Sequence, residues 1–202
     1  MTEQEKMLKG MLYQAGEKKL SSMRKRASEL TYDYNHLRPS QKEEQQAILN
    51  QLLGSMGKDV WINQPFLVDY GCNLYIGDHF FANYNFTVLD IGKVTIGNRV
   101  MIGPNVGIMT AGHPLDKVIR AELYEFGYDI TIKDDVWIGA NVVINPGVTI
   151  GSGVVIGSGS VVTNDLEDDT LCYGNPCRVI RKITEKDRIF WQKEKEKSLS
   201  NS

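Results

Sequence analysis

Between Ile130 and Val162 apolar residues recur with a period of six, at Ile132, Ile138, Ile144, Ile150, Ile156 and Val162. A second apolar residue stands two places before each of the first five, at Ile130, Val136, Val142, Val148 and Val154. Gly139, Gly151 and Gly157 directly follow three of the anchors. A helix would space its apolar residues by three and four, and a lone strand would alternate without a longer beat. A fixed beat of six with β-branched anchors and glycine corners predicts a parallel β-helix, one flat side per hexad. The same beat holds upstream at Ile96, Ile102 and Ile108, with Val94, Val100 and Val106 two places before. From Val60 to Phe86 the β signal continues in imperfect hexads, which predicts the first coils. From Met109 to Asp129 the beat stops, and this stretch holds His113-Pro114, several charges and no β alternation. It reads as a loop thrown out from one corner of a coil, and loops this long inside a domain are usually functional.

The flanks have another texture. Residues 1–56 are rich in Glu, Lys, Gln and Leu, with apolar residues at helical spacing: Met7, Met11 and Leu12, then Met23, Ala27 and Leu30, then Ile48, Leu49, Leu52 and Leu53. Pro39-Ser40 marks a break, and Gly54 and Gly57 a stop. Two or three amphipathic helices are expected, forming the cap that the open end of a repeat array needs. The predicted organisation is a helical segment over 1–56, a β-helix over 57–183 with its loop at 109–129, and a charged tail over 184–202. In that tail Thr184-x-x-Asp187 is a weak capping box, ahead of a short amphipathic helix bearing Ile189, Phe190 and Trp191, with disordered final residues.

Composition narrows the function classes. The 202 residues carry a formal net charge of −2, so no basic field points to nucleic acid. The polar, charged start is unlike a secretory signal, and no apolar run approaches the roughly 20 residues of a membrane-spanning helix. Cys72, Cys172 and Cys177 are odd in number and unpatterned, giving neither a disulfide framework nor a zinc motif. A cytoplasmic protein is the expectation.

The string Trp137-Ile-Gly-Ala-Asn-Val-Val-Ile-Asn-Pro-Gly-Val-Thr-Ile-Gly151, with Thr110-Ala-Gly-His-Pro114 and Gly174-Asn-Pro-Cys-Arg178, resembles the hexapeptide-repeat acyltransferases. Within them it is similar to the maltose and galactoside O-acetyltransferases, and Tyr32-x-Tyr-Asn-His36 and Phe81-Ala-Asn83 fit the same group. The resemblance spans nearly the whole chain. It implies a mainly β protein, a left-handed parallel β-helix with an N-terminal helical cap, assembled as a homotrimer with active sites between subunits. The left hand comes from the family alone, since crossovers are otherwise right-handed. Acetyl-CoA is the implied donor and a sugar hydroxyl the implied acceptor, with no metal required.

Acetyl transfer to a neutral hydroxyl needs a base, and His113 is the candidate: imidazole titrates near neutrality, and Pro114 holds it in extended backbone. No cysteine lies beside a histidine in sequence, so direct attack on the thioester is preferred to a covalent acetyl-enzyme. A backbone N–H or an amide side chain would hold the oxyanion. By resemblance Asn83 orients the acceptor hydroxyl, and Asp69 and Asp90 are acceptor-side positions. Asp69 stands where maltose-type enzymes carry aspartate and galactoside enzymes serine. The cap's acceptor-contacting acid falls on Ala15 or Glu17. Ala140, Ser158, Thr163 and Asn164 match positions lining the pantetheine, the family often having lysine at Asn164, and Arg178 and Arg181 face the phosphates, where guanidinium forks suit phosphate oxygens. Trp137 is either a wall of the thioester channel or a structural ring.

Other readings start from the same residues. A zinc enzyme of this architecture would hold the metal with three histidines; the chain has His36, His79 and His113, and His36 lies in the helical segment, apart from the coils. A solenoid without catalysis, or an acetyltransferase acting on an antibiotic or a modified oligosaccharide, stays open.

Overall fold

Each hexad places two inward side chains around one outward residue, so strands of two or three residues suffice for each side of a coil. In a computed structural model, which describes residues 1–200, these strands stack into three parallel sheets around a triangular core. The first sheet stacks Ser55–Met56, Leu74–Ile76, Val94–Ile96, Ile130–Ile132 and Thr149–Ile150. The second stacks Trp61–Ile62, Phe81–Ala82, Met101–Ile102, Trp137–Ile138, Val155–Ile156 and Thr170–Tyr173, closed by the antiparallel strand Arg178–Lys182. The third stacks Phe66–Val68, Phe86–Leu89, Gly107–Met109, Val143–Ile144 and Val161–Val162. All eleven hexad residues from Ile130 to Val162 are buried, none above 2% exposed.

Register explains why the beat blurs upstream. After the loop, partners on successive coils lie 18 apart, as in Thr131 with Thr149 and Trp137 with Val155. Before it they lie 20 apart, as in Trp61 with Phe81 and Leu74 with Val94. Two extra residues per coil therefore have to leave the hydrogen-bonded ladder. They do so between the third and first sheets, at Asp69–Asn73 and again at Asp90–Lys93. The ladder spans 36 positions between Val94 and Ile130, so the long insertion is expelled at the same edge one coil higher. The tight corners use left-handed backbone, with φ near +60° at Asn85, Asn105 and Asn141 and at His79, Arg99 and Asp135. Asn and Asp tolerate that region better than most residues.

Three helices, α1 (Glu3–Leu8), α2 (Lys18–His36) and α3 (Lys42–Leu52), precede the coils: α1 packs against α2 and the strands Tyr13–Gln14 and Tyr124–Gly127, while α2 and α3 cover the first coil. Ala27, Tyr34, Leu49 and Leu52 join the solenoid core, and the Tyr34 hydroxyl donates to the Ile62 carbonyl at 2.5 Å. Met11 and Leu12 do not continue α1 as their spacing suggested. Gly10 at φ +68° breaks the helix and Tyr13 takes the buried place.

The insertion is no plain loop. Ala111–Gly112 and Tyr124–Gly127 pair as an antiparallel arm around α4 (Lys117–Ala121), and Tyr13–Gln14 adds the third strand. The alternation of Tyr124, Phe126 and Tyr128 was the missed β signal. The tail differs as well. It forms one helix, α5 (Glu185–Ser200), with no buried residue, so Ile189, Phe190 and Trp191 stay exposed and its expected amphipathic packing is absent.

Because Ile138 sits mid-stack with no exposed surface, Ile138→Ala should lower unfolding free energy by about 2–5 kcal/mol. Urea denaturation measures it.

Candidate active site

The enlarged corners at the edge between the third and first sheets are held by a buried carboxylate. Asp90 accepts the backbone N–H groups of Tyr70 at 2.8 Å and Asn73 at 3.2 Å, and its own carbonyl accepts from Asn73 Nδ2 at 2.7 Å. One coil up, Thr110 donates to the Leu89 carbonyl and accepts from Gly92 N–H. Asp90 has no exposed surface. In the free chain its carboxylate is engaged by the backbone N–H groups of that corner.

Over this corner lies a cavity of about 220 Å³ lined by Ala15, Arg24, Asp69, Tyr70, Ile91 and Glu125. It joins five parts of the chain: the segment before α2, α2 itself, each of the two enlarged corners and the arm. Arg24 donates to the Tyr70 hydroxyl at 2.6 Å and to the Ala15 carbonyl at 2.7 Å, which fixes its guanidinium at the cavity wall. The Tyr13 hydroxyl donates to Glu125 at 2.8 Å and fixes the second carboxylate. Burial raises the Asp69 carboxyl, with Arg24 opposing and Glu125 reinforcing the shift. Asp69 makes no side-chain hydrogen bond within the described residues, so its oxygens remain available to a hydroxylated ligand. Of Ala15 and Glu17, Ala15 lines this cavity. Glu17 instead caps α2, accepting from Lys19 and Leu20 N–H, and that ties its carboxylate to the helix end.

His113 follows the first strand of the arm, beside Glu125 on the paired strand. Its Nδ1 lies 3.4 Å from the Tyr124 carbonyl oxygen. A carbonyl only accepts, so this contact selects the tautomer protonated at Nδ1 and leaves Nε2 as the basic nitrogen. The imidazole is exposed at the surface of the chain.

The remaining predicted residues fall into separate groups. Asn83 follows a second-sheet strand and lies on the edge between the second and third sheets, where its Oδ1 accepts Tyr84 N–H at 2.8 Å. Ala140 and Ser158 share that edge, Ala140 N–H donating to Ser158 Oγ at 3.1 Å. Thr163 and Asn164 lie on the other edge, that of Asp69 and the arm. Arg178 and Arg181 stand on the closing strand, both exposed. Arg181 is held by Asp187 through a two-pronged ion pair at 2.6 and 2.8 Å, which pulls the Asp187 carboxyl below the usual carboxylate range. Trp137 is half exposed on the outer face of the second sheet, where with Trp191 and Arg181 it borders a cavity of about 610 Å³. Asn83 and His113 are thus carried by different edges of one solenoid. Arg24, Tyr70 and Glu125 were missed from sequence, since nothing local separates Arg24 from the other cations of α2.

Comparison with known proteins agrees with this architecture. Residues 129–164 match the bacterial transferase hexapeptide (six repeats), and residues 6–57 match the maltose acetyltransferase hexapeptide capping motif. The galactoside O-acetyltransferase of Escherichia coli (strain K12) is 39% identical over 175 residues, covering 87% of this chain and 86% of that protein. The crystal structure of a maltose O-acetyltransferase from Clostridium difficile 630 superposes with a TM-score of 0.90 at 47% identity, over 91% of this chain and 98% of that one. A hexapeptide-repeat-containing acetyltransferase of Vibrio cholerae O1 biovar eltor, complexed with acetyl coenzyme A, superposes with a TM-score of 0.85 at 39% identity, over 91% and 100%. The fold and repeats are those of the hexapeptide-repeat transferases. Within that class, the chain belongs to the maltose and galactoside O-acetyltransferase family.

Burial pushes the Asp90 carboxyl up to about 6 from an ordinary 3.8, against the pull of the backbone N–H groups of Tyr70, Gly71 and Asn73. Between these two values the folded chain keeps a proton that the unfolded chain releases, so stability should fall as pH rises through the window, by at most about 3 kcal/mol. Urea midpoints for wild type and Asp90→Asn at pH values on either side of the window check this. The gap between the two proteins should change across it, and a constant gap contradicts the assignment.

Proposed function

We propose that this protein transfers the acetyl group of acetyl-CoA to a hydroxyl of a sugar, with His113 as general base. The observation that carries the reading is the cavity of Asp69, Arg24 and Glu125 beside the arm that presents His113. Carboxylates and a guanidinium together pair with the hydroxyls of a sugar as acceptors and donors. His113 Nε2 takes the proton of the acceptor hydroxyl as its oxygen attacks the thioester carbonyl. The carbon–sulfur bond then breaks, and the coenzyme A thiolate leaves and takes up the proton from His113. Asn83, through its side-chain amide, is the candidate for orienting the acceptor or holding the oxyanion. Ala140, Ser158, Thr163 and Asn164 are the candidates for the pantetheine arm, and Arg178 and Arg181 for the phosphates. Use of Arg181 would require the Asp187 ion pair to open or to share its donors. The acetyl-CoA complex of the Vibrio relative supports the donor.

The same reading makes the protein a homotrimer. Asn83, Ala140 and Ser158 occupy one edge, while Asp69, His113, Thr163 and Asn164 occupy another. A complete set is reached where one edge of a subunit faces the other edge of its neighbour, and a closed ring of such contacts is a cyclic oligomer. Nucleic acid has no place in this reading at a net charge of −2. No described helix is long and apolar enough to cross a membrane, and a cytoplasmic site of action is part of the proposal.

His113→Ala should reduce thiol release from acetyl-CoA, with maltose, glucose or a galactoside as acceptor, by about 10²–10⁴-fold; unchanged turnover would exclude His113 as base. Mixing dissociated His113→Ala and Asn83→Ala subunits and reassembling them should restore part of the activity, because some interfaces then carry both native residues. No recovery would assign both residues to one subunit's site.

A further inference from the structure

The cavity between α2, the enlarged corners and the arm carries more negative charge than its own side chains balance. Two carboxylates line it, Asp69 and Glu125, against one guanidinium, that of Arg24. Arg24 is turned to neutral groups. It donates to the Tyr70 hydroxyl and to the Ala15 carbonyl, and its Cζ stands 5.6 Å from the centre of the Tyr70 ring. Neither carboxylate is ion-paired among the described residues. Asp69 has no side-chain hydrogen bond there at all. Glu125 accepts only the neutral Tyr13 hydroxyl, through Oε2 at 2.8 Å, which leaves Oε1 over.

Both carboxylates are half-buried, so water reaches them only in part. Burial raises the Asp69 carboxyl, Arg24 lowers it and Glu125 raises it again, so the two acids feel each other across the cavity. A neutral acceptor gives their oxygens hydroxyl donors, but it displaces water and leaves the excess charge in place. A cation removes that excess. An ammonium group gathers three donors around one charge, so a single group can face both carboxylates in a cavity of about 220 Å³. Hydrogen bonds between charged partners are also the stronger ones. Ala15 and Ile91 complete the wall with apolar surface, which suits the C–H face of a sugar ring.

We infer that the acceptor is a sugar bearing a protonated amine, which sits between Asp69 and Glu125 while the acetyl group goes to one of the sugar's hydroxyls. The protonated nitrogen has no lone pair, so it anchors the ring and is no nucleophile. The hydroxyl proton passes to His113 Nε2 as the oxygen–acetyl bond forms. The carbon–sulfur bond breaks, the thiolate takes up that proton, and the ammonium keeps its charge throughout. The inference rests on the acetyl-transfer reading given above and deepens it from a sugar hydroxyl to a hydroxyl of an amino sugar.

Glucosamine and glucose are the probes, because they differ only in an amine for a hydroxyl. Turnover is followed by thiol release from acetyl-CoA and binding by calorimetry, on the intact protein and at a pH where the amine is charged. Wild type should favour glucosamine over glucose about tenfold in kcat/KM. Asp69→Asn, which keeps the shape and removes the charge, should bring that ratio close to one. A ratio taken within one variant cancels any general loss of active protein. The product should be an ester that hydroxylamine cleaves, with its amine still free. Equal kcat/KM for the two sugars in wild type would overturn the inference and leave acetyl transfer standing. So would a ratio that Asp69→Asn does not change, or a product acetylated on nitrogen. Tighter glucosamine binding that depends on Asp69, with no thiol release from either sugar, would uphold the cation site and overturn the acetyl-transfer reading. Absence of both binding and release would overturn the two together.

Discussion

In a parallel solenoid each backbone N–H donates to a carbonyl one coil away, and each inward side chain stacks on its counterpart above and below. Both requirements act at every rung, so a coil cannot gain a residue inside a strand without turning a whole side inside out. Extra residues are tolerated only at corners. The two additional residues in each early coil, and the whole insertion around His113, leave the ladder at the same edge. What begins as a rule of hydrogen-bonded register ends as a single concave edge, roofed by α2 and the arm.

That edge would collapse or splay without a partner for its backbone donors. Asp90 supplies one from inside, taking two N–H groups of the lower corner. A carboxylate serves here because it offers several acceptor positions in a small volume. Its burial raises its proton affinity, and the backbone N–H groups only partly offset this. The outer surface of the same corner is left to Asp69, whose oxygens have no hydrogen-bond partner among the described residues. Two aspartates at equivalent corners of successive coils therefore do opposite work: one braces the wall from within and the other faces the cavity.

The division of residues between edges has a consequence for assembly. In the proposed assembly, side chains on different edges meet across an interface between copies, because a rigid prism cannot bring its own edges together. The Asn ladder of Asn85, Asn105 and Asn141, linked at 2.8 and 3.1 Å, stiffens the edge that carries Asn83. Both halves of the proposed site thus rest on rigid stacked backbone, which suits catalysis that depends on orientation.

The hexads from Ile130 to Val162 were legible because inward placement is a local property, set by alternation within a strand and by the length of one side. The imperfect hexads before Val94 hid a second, longer coil, which becomes visible only when the strands are paired. The arm was partly legible in the alternation of Tyr124, Phe126 and Tyr128, but its third strand, Tyr13–Gln14, comes from more than a hundred residues earlier, and no local signal reports such a pairing. The acidic candidates separate the two levels most clearly. Glu17, Asp69 and Asp90 are alike in sequence, each a carboxylate near a turn, because capping a helix, bracing a corner and gripping a hydroxyl all use the same acceptor oxygens. Sequence alone determined the repeat, the core and the kind of chemistry available. Tertiary structure decided which carboxylate is spent on backbone N–H groups and which is left free, since that depends on which donors the folded chain brings within reach.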